Sequence, residues 1–427
     1  MQQPQPQPQQ PQQLPVVAPL PLLDITLYDT QPLQFAEELR HACHTFGFFL
    51  LRHDIPLDIV DQLLEATQDF FQQPLATKLQ ISYEHNPSFR GYMPLGVEHT
   101  AGQVDVREQI EYAVEYPTTT TETATTTTTN RHSIYERLKA RTNPWPENGS
   151  LRTSTMDYIP HICRIANCLR ESLCLALHLD KHALDPLFRP RSNEVPHWVL
   201  KFISYPPAPF RPDDDNDDHP NQKDPLLGVG AHCDTNFITL VLQDTAVGGL
   251  QVFSQGEWID VPSDDGCHVL VCNLGEQAEL WSRGYLLATP HRVLLTNRHN
   301  CRRRRRRRPS IQQPQPPQQQ QQPQPRISIP FFYNPLLSAV VQPLPNLPTD
   351  LPWHRPLHYD QTLHWRPAKN TVLSTVGENT FKSLARSHPT VFQRHYPDWM
   401  ITDDGKIIPK EQKREEEEEE DNKLIFH

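Results

Sequence analysis

Alternating apolar and polar positions mark several short strands in the C-terminal half of the chain. Gly248-Gly249-Leu250-Gln251-Val252-Phe253 reads as a strand leaving a glycine turn. Gly256-Glu257-Trp258-Ile259-Asp260-Val261 reads as the next, with Gln255-Gly256 as the hairpin turn between them. His268 to Leu274 is a run of apolar β-formers closed by Gly275, and residues 285–295 predict a further strand. Arg326-Ile-Ser-Ile-Pro-Phe-Phe-Tyr333 alternates up to Asn334-Pro335. A helical period appears at Ile162, Ala166, Leu169, Leu173 and Leu177, which predicts a helix over residues 157–179 packed against the sheet. Many short strands with turn signals between them indicate a barrel or a two-sheet jelly roll.

Chemistry enters with Gly-Val-Gly-Ala-His232-Cys-Asp234-Thr and Ala-Thr-Pro-His291-Arg-Val. On a strand or its end, His-x-Asp points both side chains to one face, because the side-chain period is two. The third ligand then comes from another strand. Two imidazoles and one carboxylate on one face of a metal, with the other positions open, suit non-haem Fe(II). Cys233, between the two ligands, is expected to point away. His268 and His299 read as structural or solvated.

These residues, with Gly-Gly-Leu-Gln-Val, Gly-x-Trp-Ile-Asp-Val, Thr289-Pro-His291-Arg-Val and Arg326-x-Ser328, resemble the isopenicillin N synthase-like branch of the Fe(II)/2-oxoglutarate-dependent oxygenases. The N-terminal half resembles it too, through Pro21-Leu-Leu-Asp24-Ile and Ala42-Cys-His-Thr-Phe-Gly47-Phe-Phe49. Phe89-Arg90-Gly91-Tyr92, Asp105-Val-Arg-Glu108 and Asn143-Pro-Trp145-Pro146 follow in the family's order. The resemblance implies a mainly β fold with flanking helices around a double-stranded β-helix (jelly-roll) core. It implies Fe(II) as cofactor, 2-oxoglutarate as co-substrate and dioxygen as oxidant. The metal ligands would be His232, Asp234 and His291. Arg326, Ser328 and Tyr205 would bind the far carboxylate of 2-oxoglutarate. A guanidinium presents a rigid fork to a carboxylate, and Arg326 and Ser328 share a strand face. Where plant members often carry Asn, this chain has Ile203, so one hydrogen bond to the co-substrate is absent.

The implied reaction is oxidative decarboxylation of the 2-oxo acid coupled to hydroxylation, desaturation or ring closure of a small organic molecule. No general acid or base is required for it, and no catalytic residue beyond the metal ligands is expected. Candidate substrate contacts are Tyr92, Tyr112 and Phe332, each equally suited to a core role. The segment from Thr375 to Pro397 resembles the family's closing helix over the barrel mouth. Two other readings stay open: an oxidase of the same fold that uses no 2-oxoglutarate, as isopenicillin N synthase does, and a non-catalytic binding protein.

The 427 residues exceed one ordinary domain, but the excess is low in complexity. Residues 1–18 are a Gln/Pro-rich tail, 117–130 a Thr-rich insert and 211–224 an acidic insert. Residues 301–325 hold seven consecutive arginines (302–308) and Gln/Pro repeats, and 401–427 form a charged tail. Such compositions bury too little apolar surface to order themselves. The oxygenase fold is then expected over 19–150, its N-terminal region, and 151–400, its jelly-roll region. The insert at 301–325 separates His291 from Arg326 by 35 residues, and is read as a hairpin-tip insertion, since closure entropy grows only logarithmically. The arginine run admits a nuclear address, whereas the net charge of −11 argues against nucleic-acid binding. Eight cysteines without Cys-x-x-Cys argue against structural zinc. No apolar run reaches the ~20 residues that span a bilayer. The expectation is a cytoplasmic monomer acting on a small molecule, with no membrane partner.

Overall fold

The computed structural model describes residues 19–100, 103–116, 134–191, 194–207, 226–244, 248–254, 256–262, 268–295, 325–348, 372–403 and 405–413. The Gln/Pro, Thr-rich, acidic and Arg-rich tracts, Gln255 and His299 lie outside them.

Two facing sheets form the core. The larger has eight strands in the order Leu22–Asp24, Phe48–Arg52, Val269–Leu274, Ile238–Gln243, Arg326–Tyr333, Trp198–Tyr205, Glu108–Ala113, Gly91–Met93. The smaller has four, in the order Glu257–Asp260, Leu250–Ser254, His291–Leu294, Leu227–His232. All pairings are antiparallel except that of the first two strands. Both halves of the sequence therefore contribute strands to one sheet, and the architecture is the jelly roll flanked by helices.

The period of two divides each long strand between two cores. On one face of the large sheet, Tyr112, Leu200, Phe202, Leu240, Cys272, Ile329 and Phe331 pack against helices Pro32–Thr45, Leu57–Phe71 and Ser150–Ala176. On the other, Phe48, Ile203, Tyr205 and Val271 meet Val229, Leu250, Val252 and Val293 of the small sheet. The functional groups lie in this second, inter-sheet space.

The long helix begins at Ser150, seven residues before the position its apolar period suggested, and runs through Pro160. An interior proline costs about 3 kcal/mol or more. Burial of Leu151, Thr155 and Tyr158 extends the packed face and offsets it, at roughly 1.5–3 kcal/mol for each large apolar side chain. Near His291 the correction runs the other way. Only His291–Leu294 is strand, because Tyr285 to Pro290 is a turn and an irregular segment that packs inward. The closing C-terminal segment is two helices, Val376–Ser387 and Pro389–His395, the first with a Thr375/Glu378 capping box.

Candidate metal and co-substrate site

The register of the small sheet places His291 directly opposite His232. Their rings sit 4.3 Å apart between centroids. Asp234 follows two residues beyond, where the chain has left the strand. Its backbone carbonyl accepts a 2.7 Å bond from Glu276 N, which ties this loop to the turn after Val269–Leu274. Gly275 makes that approach feasible, since a Cβ there would lie 2.0 Å from Asn236 O.

Each ligand candidate is oriented by a second group. His232 Nδ1–H donates to Gly230 O at 2.9 Å, and His291 Nδ1–H to Thr289 O at 3.2 Å. That sets both tautomers and leaves both Nε2 atoms free to face Asp234 Oδ1, each at 3.7 Å. The other carboxylate oxygen, Oδ2, accepts from Thr239 Oγ1 at 2.6 Å and Asn273 Nδ2 at 2.7 Å. Phe48 lies edge-on to His291 at 5.2 Å. The three ligand atoms fall within 4.8 Å of one another, a set that one cation can bridge. Side-chain exposure is 34% for His232 against 10% for His291 and 7% for Asp234, so the cluster opens on the His232 side.

The charges suit a cation. Burial pushes Asp234 up, but the two imidazoles and the bonds from Asn273 and Thr239 outweigh it and hold the carboxyl below its ordinary value. Burial and neighbouring His291 push the His232 imidazole down to about 4. The two groups are therefore a carboxylate and a neutral imidazole near neutral pH, as metal ligation requires.

Arg326 opens the strand that pairs it with Tyr205. It is buried, with its guanidinium 4.9 Å from the Tyr205 ring centroid. Gly228 leaves room for that ring, since a Cβ there would lie 2.6 Å from Tyr205 Cδ1. Nη2 donates to Gln243 Oε1 at 2.7 Å, while Nε and Nη1 have no hydrogen-bond partner among the described residues. Burial lowers the guanidinium pKa, yet the group stays charged. A buried fork with two open N–H groups is a receptor for a carboxylate. Ser328 lies two residues on along the same face, between Ile203 and Gln243.

Two family profiles match the chain: the non-haem dioxygenase in morphine synthesis N-terminal region over residues 20–148, and the 2OG-Fe(II) oxygenase superfamily over 196–335. The 2-oxoglutarate-dependent dioxygenase frbJ of Dothideomycetidae sp. (strain 11243) is 30% identical over 280 residues, 64% of this chain and 69% of that protein. The chain belongs to the 2OG-Fe(II) oxygenase superfamily. Homoarginine-6-hydroxylase 2-ODD-C23.1 of Arabidopsis thaliana is 27% identical over 319 residues, 74% of this chain and 81% of that one. A Neurospora crassa protein, solved in complex with alpha-KG and thymine, shares the fold at a TM-score of 0.59 and 21% identity, covering 86% and 96% of the two chains. As a 2OG-Fe(II) oxygenase, this protein is an oxidoreductase that uses Fe(II) and 2-oxoglutarate.

Two of the three candidate substrate contacts face the wrong way. Tyr92 is paired with Ile110, and both side chains belong to the helix-side core, as does Tyr112. The Tyr92 hydroxyl donates to Glu108 Oε2 at 2.6 Å. Tyr112 packs on Trp145 at 4.1 Å and donates to Pro144 O at 3.2 Å. Phe332 is on the inter-sheet face, opposite Thr239, whose hydroxyl holds Asp234. Cys233 turns from the ligands toward Ala288 O, at 3.4 Å. Sequence reading missed Thr239, Asn273 and Gln243, the groups that orient Asp234 and Arg326. Asn273 falls in a predicted strand, so its parity was legible, but the strand Ile238–Gln243 that carries Thr239 and Gln243 was not predicted, and neither was which strands are neighbours. Among the described residues, no helix is long and apolar enough to cross a membrane.

Proposed function

We propose that His232, Asp234 and His291 hold the Fe(II) of this oxygenase, and that Arg326, with Ser328 and Tyr205, holds the distal carboxylate of 2-oxoglutarate. The observation that carries this reading is the pairing of a three-ligand cluster with a buried arginine whose Nε and Nη1 lack partners among the described residues, both in one inter-sheet space. Together, bound iron, 2-oxoglutarate and dioxygen supply the oxidising chemistry that hydroxylates, desaturates or cyclises a small organic molecule.

The chain's own residues position and shield. Thr239 and Asn273 bind Asp234 Oδ2, so Oδ1 stays aimed at the metal. Gly230 O and Thr289 O keep the protons of His232 and His291 on Nδ1. Arg326 fixes one end of the co-substrate, and the apolar wall of Phe48, Ile203, Val252 and Val271 keeps water from the ligand cluster. Phe332, beside Thr239, is the aromatic contact retained for the substrate. The substrate is a small molecule, and the homoarginine hydroxylases among the relatives support an amino acid.

Anaerobic titration with Fe(II) and then 2-oxoglutarate tests the assignment through the metal-to-ligand charge-transfer band of the chelate. The band is expected in the wild type, absent when His232, Asp234 or His291 becomes Ala, and strongly shifted in 2-oxoglutarate dependence in Arg326→Met. A band that persists unchanged in any of these variants refutes that residue's role.

A further inference from the structure

The inter-sheet face of the large sheet carries a second set of charged groups that neither iron nor 2-oxoglutarate uses. Gln109 and Glu111 alternate with Ile110 and Tyr112 and so face the inter-sheet space, and Arg107 stands just before their strand. Lys201 pairs with Glu111 across the strands, and its Nζ lies 3.0 Å from Glu111 Oε2. Arg107 Nη2 lies 2.8 Å from Glu98 Oε2 and 3.2 Å from Asp105 Oδ2. His388, at the junction of the two C-terminal helices, closes the set with Nε2 at 3.8 Å from Glu98 Oε1.

This cluster adjoins the ligand site at two points. Asp105 Oδ1 accepts from Gly230 N at 3.2 Å, and Gly230 O is the acceptor for His232. Lys201 Nζ stands 5.8 Å from the centre of the Phe332 ring. Glu98, Asp105, Gln109, Glu111 and His388 are buried, with Gln109 at 1% and His388 at 2% exposure, while Arg107 and Lys201 are partly exposed. Even so, Gln109 Oε1, His388 Nδ1 and Arg107 Nε have no hydrogen-bond partner among the described residues. Leaving such atoms buried and unpaired is costly, and a bound polar molecule would satisfy them.

The charge balance says what kind of molecule. Glu98, Asp105 and Glu111 oppose Arg107 and Lys201, which leaves one negative charge in excess. Burial pushes Glu98 up, but Arg107 and Lys201 hold it down at about 2, so it stays ionised. Burial lowers the His388 pKa and favours its neutral form. Divalent iron, dianionic 2-oxoglutarate, Asp234 and Arg326 sum to zero and cannot supply the missing charge. Buried charges are retained when paired.

We propose that Glu98, Gln109 and Glu111 receive the guanidinium or alkylammonium end of the substrate while Arg107 Nε receives its carboxylate, so that the substrate is a cationic amino acid. This rests on the iron and 2-oxoglutarate assignment above. It adds a recognition site and a charge class that the assignment does not require.

The test is calorimetry on the full chain loaded with Mn(II) and 2-oxoglutarate under nitrogen. The probes are L-arginine, L-homoarginine and L-lysine, with L-citrulline as the neutral isostere of arginine. At least one cationic probe is expected to bind, with citrulline about tenfold or more weaker than arginine, the factor for one lost charge-assisted hydrogen bond. Glu98→Gln is expected to remove that preference while leaving the Fe(II)–2-oxoglutarate charge-transfer band intact. Citrulline binding as tightly as arginine, an undiminished preference in Glu98→Gln, or no binding by any cationic probe while the band forms, each overturns the proposal. Absence of the band in the wild type overturns the underlying assignment as well.

Discussion

Arg326→Met separates co-substrate binding from folding, because the two are expected to move in opposite directions. Methionine keeps the length and apolar stem of arginine but has no donor fork. In the folded chain, Arg326 is buried, with Nε and Nη1 unpaired among the described residues. Each such group costs about 1–3 kcal/mol, so removing them without 2-oxoglutarate relieves strain on the fold. The loss on the other side is the single bond to Gln243 Oε1, at 2.7 Å. Gln243 is only half-buried, so water can take over that acceptor. Stability of the unliganded variant is therefore expected to stay level or rise. Binding is the reverse. Two charge-assisted bonds at about 1.5–3 kcal/mol each are lost, roughly 3–6 kcal/mol in total, or about two to four decades in affinity. Anaerobic titration of the charge-transfer band gives the affinity, and urea unfolding without ligand gives the stability. An unchanged 2-oxoglutarate affinity would refute the carboxylate assignment. A loss of affinity accompanied by an equal loss of stability would show that Arg326 acts through the fold.

Asn273→Ala removes a donor from Asp234 Oδ2 and should weaken Fe(II) binding about 10–100-fold, measured by chelator competition; an unchanged affinity would leave Asn273 with no part in orienting the ligand. Tyr112→Phe breaks only the bond to Pro144 O, so unfolding should cost about 1 kcal/mol less while the charge-transfer titration stays as in the wild type; a changed titration would return Tyr112 to the site. His197 is buried, and burial with the nearby Arg90 and Lys139 pushes its pKa down to about 3 from an ordinary 6.5. The unfolded chain therefore holds a proton in that interval that the folded chain refuses, so this contribution to stability is full above pH 6.5 and is lost as pH falls toward 3. The expected slope is at most about 1.4 kcal/mol per pH unit, and His197→Asn should flatten it in urea unfolding followed across pH; an identical slope in the variant would assign the acid sensitivity elsewhere.

The sequence announced the strands around the ligands because their patterns are local. Arg326 to Tyr333 was bounded correctly despite 35 residues between His291 and Arg326, since its alternation is complete within itself. The helix begins at Ser150 instead of the expected 157 because burial of Leu151 and Thr155 extends it by two turns that the apolar period from Ile162 onward does not announce. Tyr92 and Tyr112, aromatics near recognisable motifs, suit a core role as well as a substrate contact, and the fold places both in the core, whereas Phe332 lies on the inter-sheet face. Glu111 and Gln109 lie beside Tyr112 and Ile110 in sequence, and strand parity alone puts them on the opposite face. What parity cannot supply is the identity of neighbouring strands. That is why Lys201 opposite Glu111, Asn273 beside Asp234 and His388 above Glu98 emerge only from the fold.

The division of labour between the sheets has a consequence for how this site tolerates change. The two imidazoles ride on the four-stranded sheet, and Asp234 follows it in the adjoining loop. The groups that orient the carboxylate, Thr239 and Asn273, ride on the eight-stranded sheet. So do Arg326 and, from the ionic cluster, Gln109, Glu111 and Lys201. Iron, co-substrate and substrate would therefore be held partly from each side, and their spacing would be set by the apolar side chains between the sheets. Val252, directly opposite His291 in the small sheet, and Val271 of the large sheet fill that gap without supplying a ligand atom. Close-packed interiors transmit strain, and placement errors of about 1 Å matter to a reacting centre. The inter-sheet valines thus bear on catalysis through distance, and the helix-side core, which includes Tyr92 and Tyr112, bears mainly on stability.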